Sequence, residues 1–195
     1  MTRITVAIVA ATVVAISLTG CVSFQLPGQV VKTAPAEQPV DLSFEKAADI
    51  PAKASPTLTD TLSDEDGWTL ADATVGQREY RTPDGLCDAT VHTGAVPDDV
   101  TLDGDDRGAS DRYLAHLFGA SQDKVSAIAK DVAVAPDAQF RQVSGSDTDG
   151  SKWSTAARIF TVPSVAVFAD LNCKPGADAD VFMTVLLSRL EMETR

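Results

Sequence analysis

The chain has 195 residues, 44% of them apolar, and a formal net charge of -12. That length suits one domain with attachments or two very small domains, and the apolar share excludes a wholly disordered chain. The acidic balance, with a pI near 4.4, argues against nucleic acid or an anionic membrane surface as a partner, and three cysteines are too few for a disulfide-dense scaffold.

The first element is an address. Arg3 supplies a positive start, and Ile4 to Leu18 is almost wholly apolar, interrupted by Thr5, Thr12 and Ser17. A spanning helix needs about 20 mostly apolar residues. This run is shorter and ends in small residues, as a secretory signal peptide does. Leu18-Thr19-Gly20-Cys21 resembles the lipobox of bacterial lipoproteins. That resemblance implies a diacylglyceryl group on the Cys21 thiol and cleavage between Gly20 and Cys21. It also implies a chain held at the extracytoplasmic face of the cell membrane. The chemistry requires Cys because a thiolate is the nucleophile that forms the thioether. More than one acyl chain is needed for firm anchoring, at about 0.8 kcal/mol per buried methylene.

With Cys21 assigned to lipid, Cys87 and Cys173 remain. An even pair in an exported chain points to a disulfide. Two buried free thiols are the alternative. Neither cysteine has a second Cys or a His at metal-ligand spacing, and no CxxC is present.

Residues 21 to 62 follow as a lipidated Cys and a Pro/Ala-rich tether, with Pro27, Pro35, Pro39, Pro51 and Pro56. Proline removes backbone donors and favours extended geometry, so this composition resists a packed core. The stretch from Val40 to Phe44 has the pattern of a short edge strand. From residue 63 to 195 the pattern is globular, and about 130 residues can bury a core. The expected organisation is therefore a signal peptide over 1–20, a tether over 21–62 and an extracytoplasmic domain over 63–195.

Within the domain, Trp68 to Val75 and Gln77 to Arg81 read as strands. Thr82-Pro83-Asp84-Gly85 is a turn signal, and Leu86 to Thr93 alternates, with Cys87, Ala89 and Val91 on one face. An acidic loop over 97–111 precedes apolar residues at helical spacing: Leu114, Leu117, Phe118, Val125, Ile128 and Val132. Gly119 divides this run into two helices, with Ser121 as the cap of the second. Strands are expected again at Gln139 to Val143, Trp153 to Val162 and Val165 to Cys173. Asp178 or Asp180 opens a last helix, and Leu190 to Glu193 closes as a strand.

The order of strands, helices, strands, helix predicts an α+β fold, a mostly antiparallel sheet with helices packed on it. That order is similar to the PsbP-like α/β/α sandwich of some actinobacterial lipoproteins.

Signals for chemistry are few. Asp103-Gly104-Asp105-Asp106-Arg107-Gly108 has aspartates at calcium-loop positions one and three, but Arg107 and Leu114 stand at five and twelve. Asp147-Thr148-Asp149-Gly150 fails similarly at Arg158. No metal site is therefore expected. GxSxG, HExxH and nucleotide-loop motifs do not occur, so no cofactor is implied and no catalytic residue is assigned. His92 and His116, the two histidines, read as surface residues. Arg78 and Arg81 read as a solvated strand face, and Trp68, Trp153, Phe160 and Phe168 as core. The expected function is a lipid-anchored binding or accessory module for an envelope protein or lipid, with no nucleic-acid partner. A small envelope hydrolase and a lipid or glycolipid carrier are the alternatives.

Overall fold

A computed structural model describes residues 41–46, 50–62, 66–134 and 138–194. The signal segment and Cys21 lie outside the described residues. The elements in order are β1 (Pro56–Asp60), β2 (Thr69–Thr74), β3 (Gln77–Arg81), β4 (Cys87–Ala95), α1 (Asp106–Phe118), α2 (Gln122–Ile128), β5 (Lys130–Val134), β6 (Ala138–Ser146), β7 (Lys152–Phe160), β8 (Val165–Cys173), α3 (Ala179–Ser188) and β9 (Leu190–Thr194). This is the expected α+β class. A seven-stranded sheet runs β2-β3-β4-β8-β7-β6-β5 with every neighbour antiparallel, and β1 pairs with β9 in a separate ribbon.

The topology follows from two meanders. Strands β2 to β4 turn back on themselves through tight loops. At the first loop Gly76 has φ +78°, and a Cβ there would lie 2.4 Å from the Thr93 carbonyl oxygen, so only glycine seats this turn against β4. Helices α1 and α2 then carry the chain to the far edge of the sheet. Strands β5 to β8 return to meet β4, where Cys87 faces Cys173 in register. The two form the expected disulfide, their Cα atoms 4.1 Å apart.

Period-two alternation gives the sheet two apolar faces. One packs Val143, Ala157, Ile159 and Ala166 against Ala109, Tyr113 and Leu114 of α1 and Val125 of α2. The other packs Ala89, Val91, Phe140, Ala156, Val167 and Leu171 against Met183, Leu186 and Leu190, and carries both bridged cysteines. Trp68 and Phe160 are buried there, with Trp68 edge-on to Phe182 at 5.7 Å.

Several sequence expectations shift. The packed unit reaches back before residue 63: Leu42, Ile50 and Leu58 are buried, and β1 is part of the ribbon. The proline-rich composition is real, but among its described residues Leu42, Ile50 and Leu58 are single apolar anchors that dock against the core. Val132 lies on β5, not on a helix, because α2 ends where Ala129 turns extended (φ -67°, ψ 142°). Helix α1 begins inside the expected acidic loop, since the Asp105 side chain accepts from Gly108 N at 2.7 Å and caps it. Ser121 precedes α2 but makes no side-chain cap bond. Trp153 and Phe168 are half-buried rather than core.

Candidate functional site

The acidic loop resolves into structural roles. Asp105 caps α1, and Asp103 pairs with Arg112. Asp106 is buried, with its carboxylate against Arg158 at 3.2 Å and accepting from Thr161 N at 3.0 Å. Nearby, Asp111 of α1 binds Arg141 of β6 at 2.6 Å, and Arg141 also reaches Asp131 of β5 at 2.7 Å. Two ion pairs thus fix α1 to the sheet. Among the described residues no cluster of three His, Cys, Asp or Glu side chains could hold a metal ion.

The two histidines do not converge. His116 is exposed on α1 and pairs with Asp99 at 3.0 Å. His92 stacks on Phe168 with ring centroids 4.9 Å apart, and burial pushes its pKa down. Its Nδ1 is buried without a partner among the described residues.

A second polar cluster lies on the same sheet face. Strand register sets Asp170 between Thr90 and Thr155, and Asn172 between Asp88 and Trp153. Thr155 Oγ1 and Asn172 Nδ2 donate to the Asp170 carboxylate, the latter at 2.6 Å. Burial raises the Asp170 pKa above the ordinary carboxylate value, and the two hydrogen bonds oppose it. A raised folded-state pKa means the folded chain holds this proton more tightly than the unfolded chain. The stability it contributes is full at low pH and is lost as pH rises through the folded-state value. Asp170→Asn is therefore expected to melt higher than wild type at pH 7, with the difference vanishing near pH 3. Thermal melts at both pH values check this, and a neutral-pH loss of stability would refute it.

A concave site among the described residues lies elsewhere. A cleft of about 350 Å³ lies between β1 and the β2–β3–β4 meander. That volume is within the range of small-molecule sites. Thr57, Leu58 and Thr59 form one wall. Ala73, Thr74, Gly76, Gln77 and Arg78 form the other, with Val91 and Thr93 contributed by β4. Strand β1 is held over the meander by Leu58, whose N–H donates to Thr93 Oγ1 at 3.0 Å. Its carbonyl accepts from Arg78 Nη2 at 3.3 Å.

Arg78 is the charged group of this cleft, and it is not the solvated residue the sequence suggested. Its Nε lies 2.8 Å from Asp60 Oδ2, and the Asp60 side chain is 3% exposed against 35% for Arg78. Tyr80 donates its hydroxyl to the other Asp60 oxygen at 2.5 Å. Burial and this bond push the Tyr80 pKa well above its usual value, so the phenol stays protonated and keeps donating. Asp60 and Tyr80 thereby fix the guanidinium from behind. Arg81, in contrast, is exposed and pairs with Asp88 at 2.6 Å. No local motif marks this site, because Thr57, Arg78 and Val91 come from three strands.

No protein-family model matches the chain, and no curated protein matches it. Similar solved structures include a protein from Bacteroides thetaiotaomicron, 13% identical, with a TM-score of 0.37. That match covers 65% of this chain and 42% of the other, so this chain spans less than half of that protein's length. A mutant of protein Mog1 is 12% identical, covering 69% of this chain and 90% of that one, with a TM-score of 0.41. The Saccharomyces cerevisiae Ran-binding protein Mog1p is 11% identical over 69% of this chain and 89% of its own, also with a TM-score of 0.41. Identity this low says nothing of what this chain binds.

Proposed function

We propose that the protein is a lipid-anchored envelope module that binds a ligand or partner through the cleft between β1 and the first meander. The observation that carries the binding role is the cleft itself, a concave site with an oriented guanidinium and a ring of threonines. The Leu18-Thr19-Gly20-Cys21 sequence supports anchoring at Cys21, on the extracytoplasmic face of the cell membrane. A disulfide between Cys87 and Cys173 is in keeping with an oxidising compartment. The acidic net charge of -12 would repel anionic headgroups, so attachment falls to the lipid rather than to electrostatics.

Fractionation tests the anchoring. Wild type should partition into membranes and into a detergent phase, and Cys21→Ser should lose the lipid and its detergent-phase behaviour once the signal is removed. Equal partition of both chains with an unmodified cysteine would refute the reading.

A further inference from the structure

We infer that the cleft takes a small organic carboxylate, with its head group on the Arg78 guanidinium and its short aliphatic part against Ala73. This rests on the reading of the cleft as the binding site and names the chemistry it selects.

The charge pattern carries the inference. The chain has 28 acidic residues against 16 basic ones. Yet the ten residues that line the cleft include no Asp or Glu and one Arg. Asp60, which balances Arg78, is not among them: it sits behind the guanidinium, almost wholly buried. Arg78 holds Nε in an ion pair 2.8 Å from that carboxylate and donates one Nη2 hydrogen to the Leu58 carbonyl. Its remaining Nη donors have no acceptor among the described residues. A planar fork of N–H groups held in place is the arrangement that recognises a carboxylate.

The rest of the lining agrees. Four threonines, Thr57, Thr59, Thr74 and Thr93, surround the cleft, each offering a hydroxyl and a methyl group. Thr93 already accepts from Leu58 N, and Thr57 and Thr59 donate weakly to backbone carbonyls at 3.3 and 3.4 Å. Thr74 stands exposed on the edge strand. Ala73, exposed on β2, gives an apolar surface that a bare inorganic anion would leave unused, with buried Val91 forming the floor beneath it. A cation would meet Arg78 unfavourably.

The test is an amide NMR titration of the isotope-labelled full chain in detergent with sodium butyrate, butyramide and inorganic phosphate. Butyrate is expected to shift Thr57, Thr59, Gly76, Arg78 and Thr93 saturably, with butyramide and phosphate much weaker. Arg78→Gln should weaken butyrate by about tenfold or more, as loss of a charged hydrogen bond does. Arg78→Gln also disturbs the Asp60 pair, so Ala73→Leu serves as the second variant. It fills the cleft from an exposed strand and should abolish the shifts without lowering the melting temperature. Butyramide binding as tightly as butyrate would overturn the carboxylate preference while leaving the cleft a binding site. Phosphate binding in place of butyrate would overturn it in favour of an inorganic anion. Shifts from none of the three probes would count against the ligand class and the cleft together.

Discussion

Asp106→Ala should destabilise the domain by about 3–5 kcal/mol, the cost of stranding one buried charge. The stranded charge is Arg158, which is 0% exposed near the end of β7. Its Nη1 donates to the Gln139 carbonyl at 2.9 Å, and its guanidinium lies over the Phe44 ring at 4.1 Å and the Phe160 ring at 5.0 Å. Burial pulls the Arg158 pKa down, and Asp106 is the chief opposing influence. The same Asp106 carboxylate accepts from Thr161 N and Thr161 Oγ1, so its loss also frees the end of β7. Asp106→Ala/Arg158→Met should be less damaging than Asp106→Ala alone, because an apolar pair of similar volume replaces the two charges. Urea melts of the three chains decide this. An Asp106→Ala loss below 1 kcal/mol, on the order of a surface change, would show that Arg158 is solvated.

The second large effect is expected at the disulfide. Replacing both Cys87 and Cys173 with Ala should cost about 2–5 kcal/mol and lower the melting temperature on the order of 10 °C. The bridge closes a span of 86 residues and joins β4 to β8. Within the sheet, β4–β8 is the pairing that ties the β2–β3–β4 meander to the other four strands. The meander carries most of the cleft, so amide exchange in β2 to β4 should accelerate more than in β6 and β7. Uniform acceleration would mean that the bridge stabilises the whole domain without holding the cleft in particular. An unchanged melting temperature would mean that strand pairing alone holds the two halves.

What the sequence discloses is uneven, for physical reasons. The β3–β4 hairpin and β8 are legible because Thr82-Pro83-Asp84-Gly85 and period-two alternation act over a few neighbouring residues. The bridge is legible by counting, once Cys21 is set aside. Strand β5 is hidden because Val132 continues the helical spacing of Val125 and Ile128, and only the extended backbone at Ala129 breaks it. The start of α1 is hidden because Asp106 to Arg112 has almost no apolar residue, its hold on the sheet being made by buried ion pairs instead. Leu42 lies in the stretch read as a short edge strand and makes a single parallel bridge to Ala138, but the docking of Ile50 and Leu58 is hidden because isolated apolar residues among prolines carry no periodicity. The cleft is hidden for the same kind of reason. Asp60, Arg78 and Tyr80 become one unit only when β1 crosses the meander, and nothing in their spacing announces it.

In the proposed function, lipid on Cys21 tethers the binding domain to a membrane. The most direct measurement is the intact mass of the chain extracted from membranes. The mass should correspond to a chain that starts at Cys21, has lost residues 1–20 and carries diacylglyceryl on its sulfur, with the Cys87–Cys173 bridge intact. A membrane-free chain with an unmodified Cys21 thiol would contradict it.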